Sequence, residues 1–149
     1  MKKIFTLLFC LSLLPLVASA TDDKPIEFNQ LPKEAQAFVT THFSQAQIAF
    51  AKMDRDLFSR DYEVIFTDGS QLSFNSKGQW TKVSCEKSST FTVPSAIIPQ
   101  AIADKVKSKW PASRITEIEK SERGRIDISL DNRMELTFDA HFNIVEYDD

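Results

Sequence analysis

Tyr62, Val64 and Phe66 alternate with Glu63, Ile65 and Thr67, the period-two pattern of a strand with one face buried. Leu72 and Phe74 continue the pattern, and Trp80 opens a third segment. The intervening turn sets the register. A two-residue Asp68-Gly69 turn would place Leu72 and Phe74 on the face opposite Tyr62, Val64 and Phe66. A three-residue loop, Thr67-Asp68-Gly69, instead sets Val64 against Leu72 and Tyr62 against Phe74. It also gives Gly69 the left-handed position that glycine enters without steric cost. The pattern therefore predicts the second register. By the same logic Ser76-Lys77-Gly78 sets Trp80 opposite Phe74, and the large apolar side chains of this meander share one face.

The pattern extends in both directions. Thr21 to Asn29 reads as a leader. Pro32 opens a helix whose stripe carries Ala35, Phe38, Val39 and His42. Ile48 and Phe50 begin a strand running toward Met53, and the charged run Asp54 to Asp61 reads as a loop. Ser84 to Thr90 is polar and reads as a linker, after which the plan restarts. Pro32, Val39, Phe43 and Ile48 align with Pro99, Val106, Trp110 and Ile115 at a spacing of 67 residues. Tyr62, Val64, Phe66, Leu72, Phe74 and Trp80 align with Ile126, Ile128, Leu130, Leu136, Phe138 and Ile144 at a spacing of 64. One three-residue gap reconciles the two spacings, which points to an internal duplication.

The expected fold is α+β: a tandem duplication of a helix plus antiparallel-sheet unit, with each helix packed on one sheet face. The expected organisation is a signal segment at 1–20, a first unit at 21–84, a linker at 85–92 and a second unit at 93–149. In the second unit Arg133 stands where the first has Gly69, and Phe142 where it has Gly78. Asn132 and Asn143 are expected to carry those turns, because asparagine tolerates a left-handed backbone. Packing a helix on one sheet face leaves the other to water. That face carries Glu63, Ile65, Thr67 and Ser73 in the first unit, and Asp127, Ser129, Glu135 and Thr137 in the second. These eight residues are the expected partner-binding surface.

The N-terminus changes the setting. Lys2 and Lys3 precede a short apolar run, Ile4 to Val17, and Ala18-Ser19-Ala20 offers a small-residue cleavage site. The run is shorter than the roughly 20 residues of a membrane span. A cleaved export signal ending near Ala20, and a periplasmic or secreted mature protein, are expected. Cys10 lies too early for a lipoprotein signal. Removal of Lys2 and Lys3 moves the net charge from −3 to −5. Acidic, unclustered charge argues against nucleic acid as a partner. Cys85 is then the single remaining cysteine, so an intrachain disulfide is impossible.

Leu31-Pro32 with its helix, the run YEVIFTDGSQLSFNSKGQW, Val93-Pro94 and the later KSKWPASRITEIE together resemble the PepSY-like proteins. These are small exported proteins best known from Bacteroidetes, with a fold similar to β-lactamase inhibitory protein. The resemblance spans about Phe28 to Tyr147, and Gly78-Gln79-Trp80 is its most specific part. It implies two α+β units whose sheets join into one curved surface. It supplies no family catalytic residues, and likeness to an inhibitor does not by itself transfer inhibition.

Candidate chemistry is sparse. His42 lies on the apolar stripe of the first helix and His141 in a turn, so both read as structural or exposed histidines. Lys82 and Lys87 near Cys85 favour its thiolate, and a Cys–His dyad remains an open alternative. The two histidines and one thiol lack metal-ligand spacing. Asp54, Asp56 and Asp61 are interleaved with Arg55 and Arg60 and lack the glycine of a calcium loop. No catalytic, metal or cofactor residues are expected. Trp80 and Trp110 read as core side chains. The leading expectation is an exported, non-enzymatic module that binds a protein partner, as an inhibitor or modulator of an envelope protein. A small-ligand carrier, with its site in the groove between the units, and a Cys85-dependent enzyme are the alternatives.

Overall fold

The computed structural model describes residues 23–148. The expected signal segment, its cleavage point near Ala20 and Cys10 lie outside these residues. The strands are β1 (Lys24–Ile26), β2 (Ile48–Arg55), β3 (Arg60–Phe66), β4 (Gln71–Phe74), β5 (Trp80–Ser84), β6 (Ile115–Lys120), β7 (Ile126–Leu130), β8 (Glu135–Phe138) and β9 (Ile144–Asp148). Helix α1 (Lys33–His42) lies between β1 and β2, and helix α2 (Gln100–Lys109) between β5 and β6. All nine strands form one open antiparallel sheet in chain order, so every strand pairs with its neighbours in sequence.

Pro32 and Pro99 stand just before the two helices, where a missing N–H removes no helical hydrogen bond. Pro94 opens a separate 3-10 turn, Ser95–Ile97. Each helix buries two residues of its stripe, Ala35 and Val39 in α1, Ile102 and Val106 in α2. They join Val64, Leu72, Phe74, Ile118, Ile128, Leu136 and Phe138 in one continuous core. Phe38 meets Phe74 edge-on at 5.7 Å, and Phe43 stacks on Phe66 at 5.3 Å.

The three-residue loop and its register are as the pattern predicts. Tyr62 pairs with Phe74 and Val64 with Leu72, Phe74 pairs with Trp80, and Gly69 has φ of 89°. Three expectations are corrected. The segment read as a leader contains β1, which pairs with β2, and a 3-10 turn at Phe28–Gln30. Half of the charged run read as a loop is ladder: Asp54 pairs with Asp61 and Arg55 with Arg60, leaving 56–59 as the tip. Charged side chains do not oppose extended backbone where the strands run out into solvent. In the second meander Arg133 and Phe142 themselves take the left-handed conformation, with φ of 72° and 60°. Asn132 instead accepts the N–H of Met134 through its side chain, and Asn143 donates its own N–H to Asp139.

The segment between β5 and α2 is pinned to the sheet. The Cys85 N–H donates to the Thr116 carbonyl, and Ser88 donates its hydroxyl to Asp68. Both ends of the β3–β4–β5 meander are closely packed. A Cβ at Gly69 would stand 2.9 Å from that of Lys87, and one at Gly78 would stand 2.7 Å from that of Pro32.

Candidate interaction face

Both helices contribute to the same core, so alternate strand positions face away from it. Across the sheet these positions form rows of directly opposed residues. One row runs from Lys52 through Glu63, Ser73 and Lys82. It continues through Glu119, Asp127, Thr137 and Glu146. A parallel row holds Phe50, Ile65, Gln71 and Ser84, then Glu117, Ser129, Glu135 and Asp148.

Seven of the eight residues expected on this face stand in these rows. Glu63 opposes Ser73, Ser129 opposes Glu135, and Thr137 donates its hydroxyl to Asp127 at 2.7 Å. Thr67 is the exception. It is exposed in the hairpin loop, and its N–H donates to the Gln47 carbonyl.

Two lysines bridge the carboxylates. Lys52 lies 2.9 Å from Glu63 and 3.2 Å from Asp23, and Lys82 lies 2.8 Å from Glu117 and 3.2 Å from Glu119. The hydrogen bond to Glu63 is the main reason the Lys52 pKa is raised. Burial works to lower that of Lys82, but Glu117 and Glu119 outweigh it and hold it above the ordinary lysine value.

Phe50 is the apolar residue that sequence periodicity misplaces. Ile48 and Phe50 are two apart and would share a face in a regular strand. A bulge between them turns Ile48 toward the core and leaves Phe50 opposite Ile65, 48% exposed. The same irregularity between Ile115 and Glu117 turns Ile115 inward and Glu117 outward. Lys82, Glu117 and Glu119 also join the face, and their alternation with Val83 and Ile118 is the signal that could have placed them there. Beyond the rows, the β2–β3 tip presents Leu57 and Phe58, 88% and 99% exposed.

The nucleophile candidate is buried. Cys85 is 3% exposed, and burial raises its pKa against a smaller opposing pull from the Ser70 side chain. His42 packs against Phe38 with ring centres 4.7 Å apart, and His141 is exposed in the β8–β9 turn. Among the described residues, no three histidine, cysteine or acidic side chains come together as metal ligands. Trp80 and Trp110 are half-buried against the core, and Lys120 Nζ stands 3.7 Å over the Trp80 ring. A cleft of about 430 Å³ lies beside Cys85, with the Arg114–Asp131 ion pair, Arg133 and Glu135 in its walls. Among the described residues, no helix is long and apolar enough to cross a membrane.

No curated protein matches the chain. Solved structures do. A protein of the DUF2874 family from Bacteroides vulgatus, described as periplasmic, is 42% identical with a TM-score of 0.81, the match covering 87% of this chain and 99% of that one. A Bacteroides thetaiotaomicron protein, described as periplasmic and calcium-regulated, is 41% identical with a TM-score of 0.80, over 86% and 98% of the two chains. A second periplasmic protein from Bacteroides vulgatus, described as of unknown function, is 34% identical with a TM-score of 0.76, over 85% and 99%. Residues 60–146 match the family described as β-lactamase-inhibitor-like and PepSY-like. With that match over more than half its length, and with structural relatives of this identity and coverage, the chain belongs to the PepSY-like family.

Proposed function

We propose that this protein is an exported, non-enzymatic binding module that contacts a protein of the cell envelope through the open face of its sheet, as an inhibitor or modulator. One observation carries the reading. Both helices join one core on a single side of a nine-stranded sheet, and on the other side the row residues, Ser84 apart, are half-exposed or exposed. The apolar pair Phe50 and Ile65 sits within its polar rows. The contact residues in this reading are Glu63, Ile65, Ser73, Asp127, Ser129, Glu135 and Thr137, with Thr67 at the margin.

An export signal at 1–20 supports an envelope setting, as does the periplasmic description of the relatives. Duplication of one α+β unit, with 21–84 and 93–149 as its copies and 85–92 between them, accounts for the doubled face. The matched bulges in β2 and β6 and the matched left-handed turns agree with it. Calcium regulation is a description of one relative alone. The described residues of this chain do not converge as a calcium site.

A photo-crosslinking residue at Ile65 or Ser129, introduced into the exported protein in its own cells, tests the reading. Adducts with a defined protein are expected from these positions and not from Ala37 or Lys107 on the helices. Adducts from the helical positions alone would sink it.

The cleft beside Cys85 favours a second reading, a small-ligand carrier. Its size falls within the range of ligand sites. Native mass spectrometry of protein purified from its host would then show a bound molecule. A bare chain mass, with no thermal shift across a ligand panel, would exclude it.

A further inference from the structure

The segment that follows β5 treats the two meanders differently. At the β3–β4 turn it is packed down: Ser88 donates to Asp68, and a Cβ on Gly69 would stand 2.9 Å from that of Lys87. Toward the β7–β8 turn it leaves the cleft of about 430 Å³, with one wall from residues 85–92 and the other from β6, β7 and the start of β8. Phe91, Ile115 and Leu130 give the cleft an apolar lining.

The charges around this lining are only partly matched. Arg114 donates its backbone N–H and its Nε–H to Asp131 at 3.0 and 3.1 Å, so that pair is satisfied internally. Arg133, Glu86 and Glu135 also line the cleft. None of these three side chains makes an ion pair or a hydrogen bond among the described residues. Arg133 is strained as well. It holds φ of 72° at the place that Gly69 fills in the first meander, and a residue with a Cβ is disfavoured there. Phe142, left-handed in the next turn, packs against the core. Arg133 is exposed, so contacts within the described chain give no reason to prefer it to glycine. Backbone strain held at the rim of a cavity is a mark of ligand clamps.

We propose that this cleft binds a zwitterion with an apolar body, a hydrophobic amino acid or a short peptide with free termini. Its carboxylate pairs with Arg133 and its ammonium with Glu86 and Glu135, the latter also a member of the open row. This rests on the small-ligand-carrier reading and specifies the chemistry of the ligand. A guanidinium holds a carboxylate through two parallel N–H···O bonds, and the apolar body lies against Phe91, Ile115 and Leu130. A ligand with one charge alone leaves the opposite group of the cleft desolvated and unpaired, which discriminates against it.

The test uses leucine and leucyl-leucine as probes, with acetyl-capped and amide-capped forms of each as single-charge counterparts. Binding is followed through backbone amide shifts of the isotopically labelled exported protein. One or both free probes should bind, with shifts concentrated in residues 85–92 and 114–135. The tighter of the two tells an amino-acid site from a peptide site. Each capped form should bind at least about tenfold more weakly than its free parent. Arg133→Gly should weaken binding at least about tenfold without lowering the melting temperature, a combination that a structural role for Arg133 would not give. E86Q/E135Q should weaken it by a similar factor. Arg60→Gln, which removes the same charge at the β2–β3 tip, should change affinity less than about twofold. No binding of either probe, shifts centred on the helices, equal binding of the capped forms or unchanged affinity in Arg133→Gly would overturn the proposal. If protein purified from its host carries a molecule lacking one of the two charges, the carrier reading stands and the zwitterion falls. If it carries none and no ligand of the panel binds, the carrier reading falls with it.

Discussion

Ser88 donates its hydroxyl to the carboxylate of Asp68, 20 residues before it in the chain. Asp68 also accepts the Ser70 N–H at 2.9 Å and the Ser70 hydroxyl at 3.0 Å, and Ser88 in turn accepts the N–H groups of Thr90 and Phe91. One carboxylate thus closes the β3–β4 loop and ties the segment between β5 and α2 to it. Replacement of Asp68 by Ala leaves these partly buried donors unmatched. The expected loss is about 2 kcal/mol of unfolding free energy, on the scale of hydrogen bonds to a charged group. Urea titration measures it, and a loss under about 0.5 kcal/mol would contradict the pinning role.

Acid sensitivity follows from the same group. Burial works to raise the Asp68 pKa, but the hydrogen bonds from Ser88 and Ser70 prevail and hold it below 3.8, its ordinary value. The N–H of Arg114 chiefly lowers Asp131, and that of Asn143 chiefly lowers Asp139. A carboxyl depressed in the folded state contributes stability that is full above its unfolded pKa and lost as pH falls through the folded one. Stability from these groups should therefore decline below about pH 4. In D68N the slope of melting temperature against pH over this range should be shallower than in the wild type. Parallel slopes would count against this assignment.

Arg133 occupies a left-handed turn position with φ of 72°, where Gly69 holds the matching place in the first meander. Arg133→Gly removes the Cβ clash at some cost in unfolded-chain entropy. A net gain of roughly 0.5 kcal/mol is expected. Phe142 is also left-handed but packs against the core, so Phe142→Gly should lose stability. The opposite signs are the prediction, readable in paired chemical denaturation curves.

The Cys85 thiol should react with iodoacetamide only as the protein opens. It is buried, and burial raises its pKa. Labelling of the native protein should track the unfolding rate and accelerate sharply in denaturant. Fast native labelling at neutral pH would restore a reactive thiol to consideration.

Lys120 lies over Trp80 with its pKa lowered by burial. Its aliphatic stem and its charge thus act in different directions. Lys120→Met keeps the packing and removes the desolvated charge, so stability should stay within about 0.5 kcal/mol of wild type. Lys120→Ala should cost about 1 kcal/mol more than Lys120→Met. Equal effects of the two changes would show that packing of the stem contributes nothing.

Period-two alternation with glycine at the third loop position determined the register of β3, β4 and β5 before any tertiary contact, because one slip would split Tyr62, Val64 and Phe66 from Leu72 and Phe74. The prolines before the two helices and the helical stripes were equally local, since fixed φ and side-chain spacing act within a turn or two. Tertiary structure decided what local pattern cannot express. The bulge after Ile48 turned Phe50 outward, because Ile48 packs against the core while the ladder continues past it. Pairing with β2 ordered Lys24–Ile26, whose own residues are too few to hold a strand. The hairpins of the second meander left Arg133 and Phe142 in the strained turn positions, while Asn132 accepts the Met134 N–H and Asn143 donates its own N–H to Asp139. The opposed carboxylates belong to this second class as well. Alternation alone places Glu119 and Asp127 on one face, but only pairing across β6 and β7 sets them against each other.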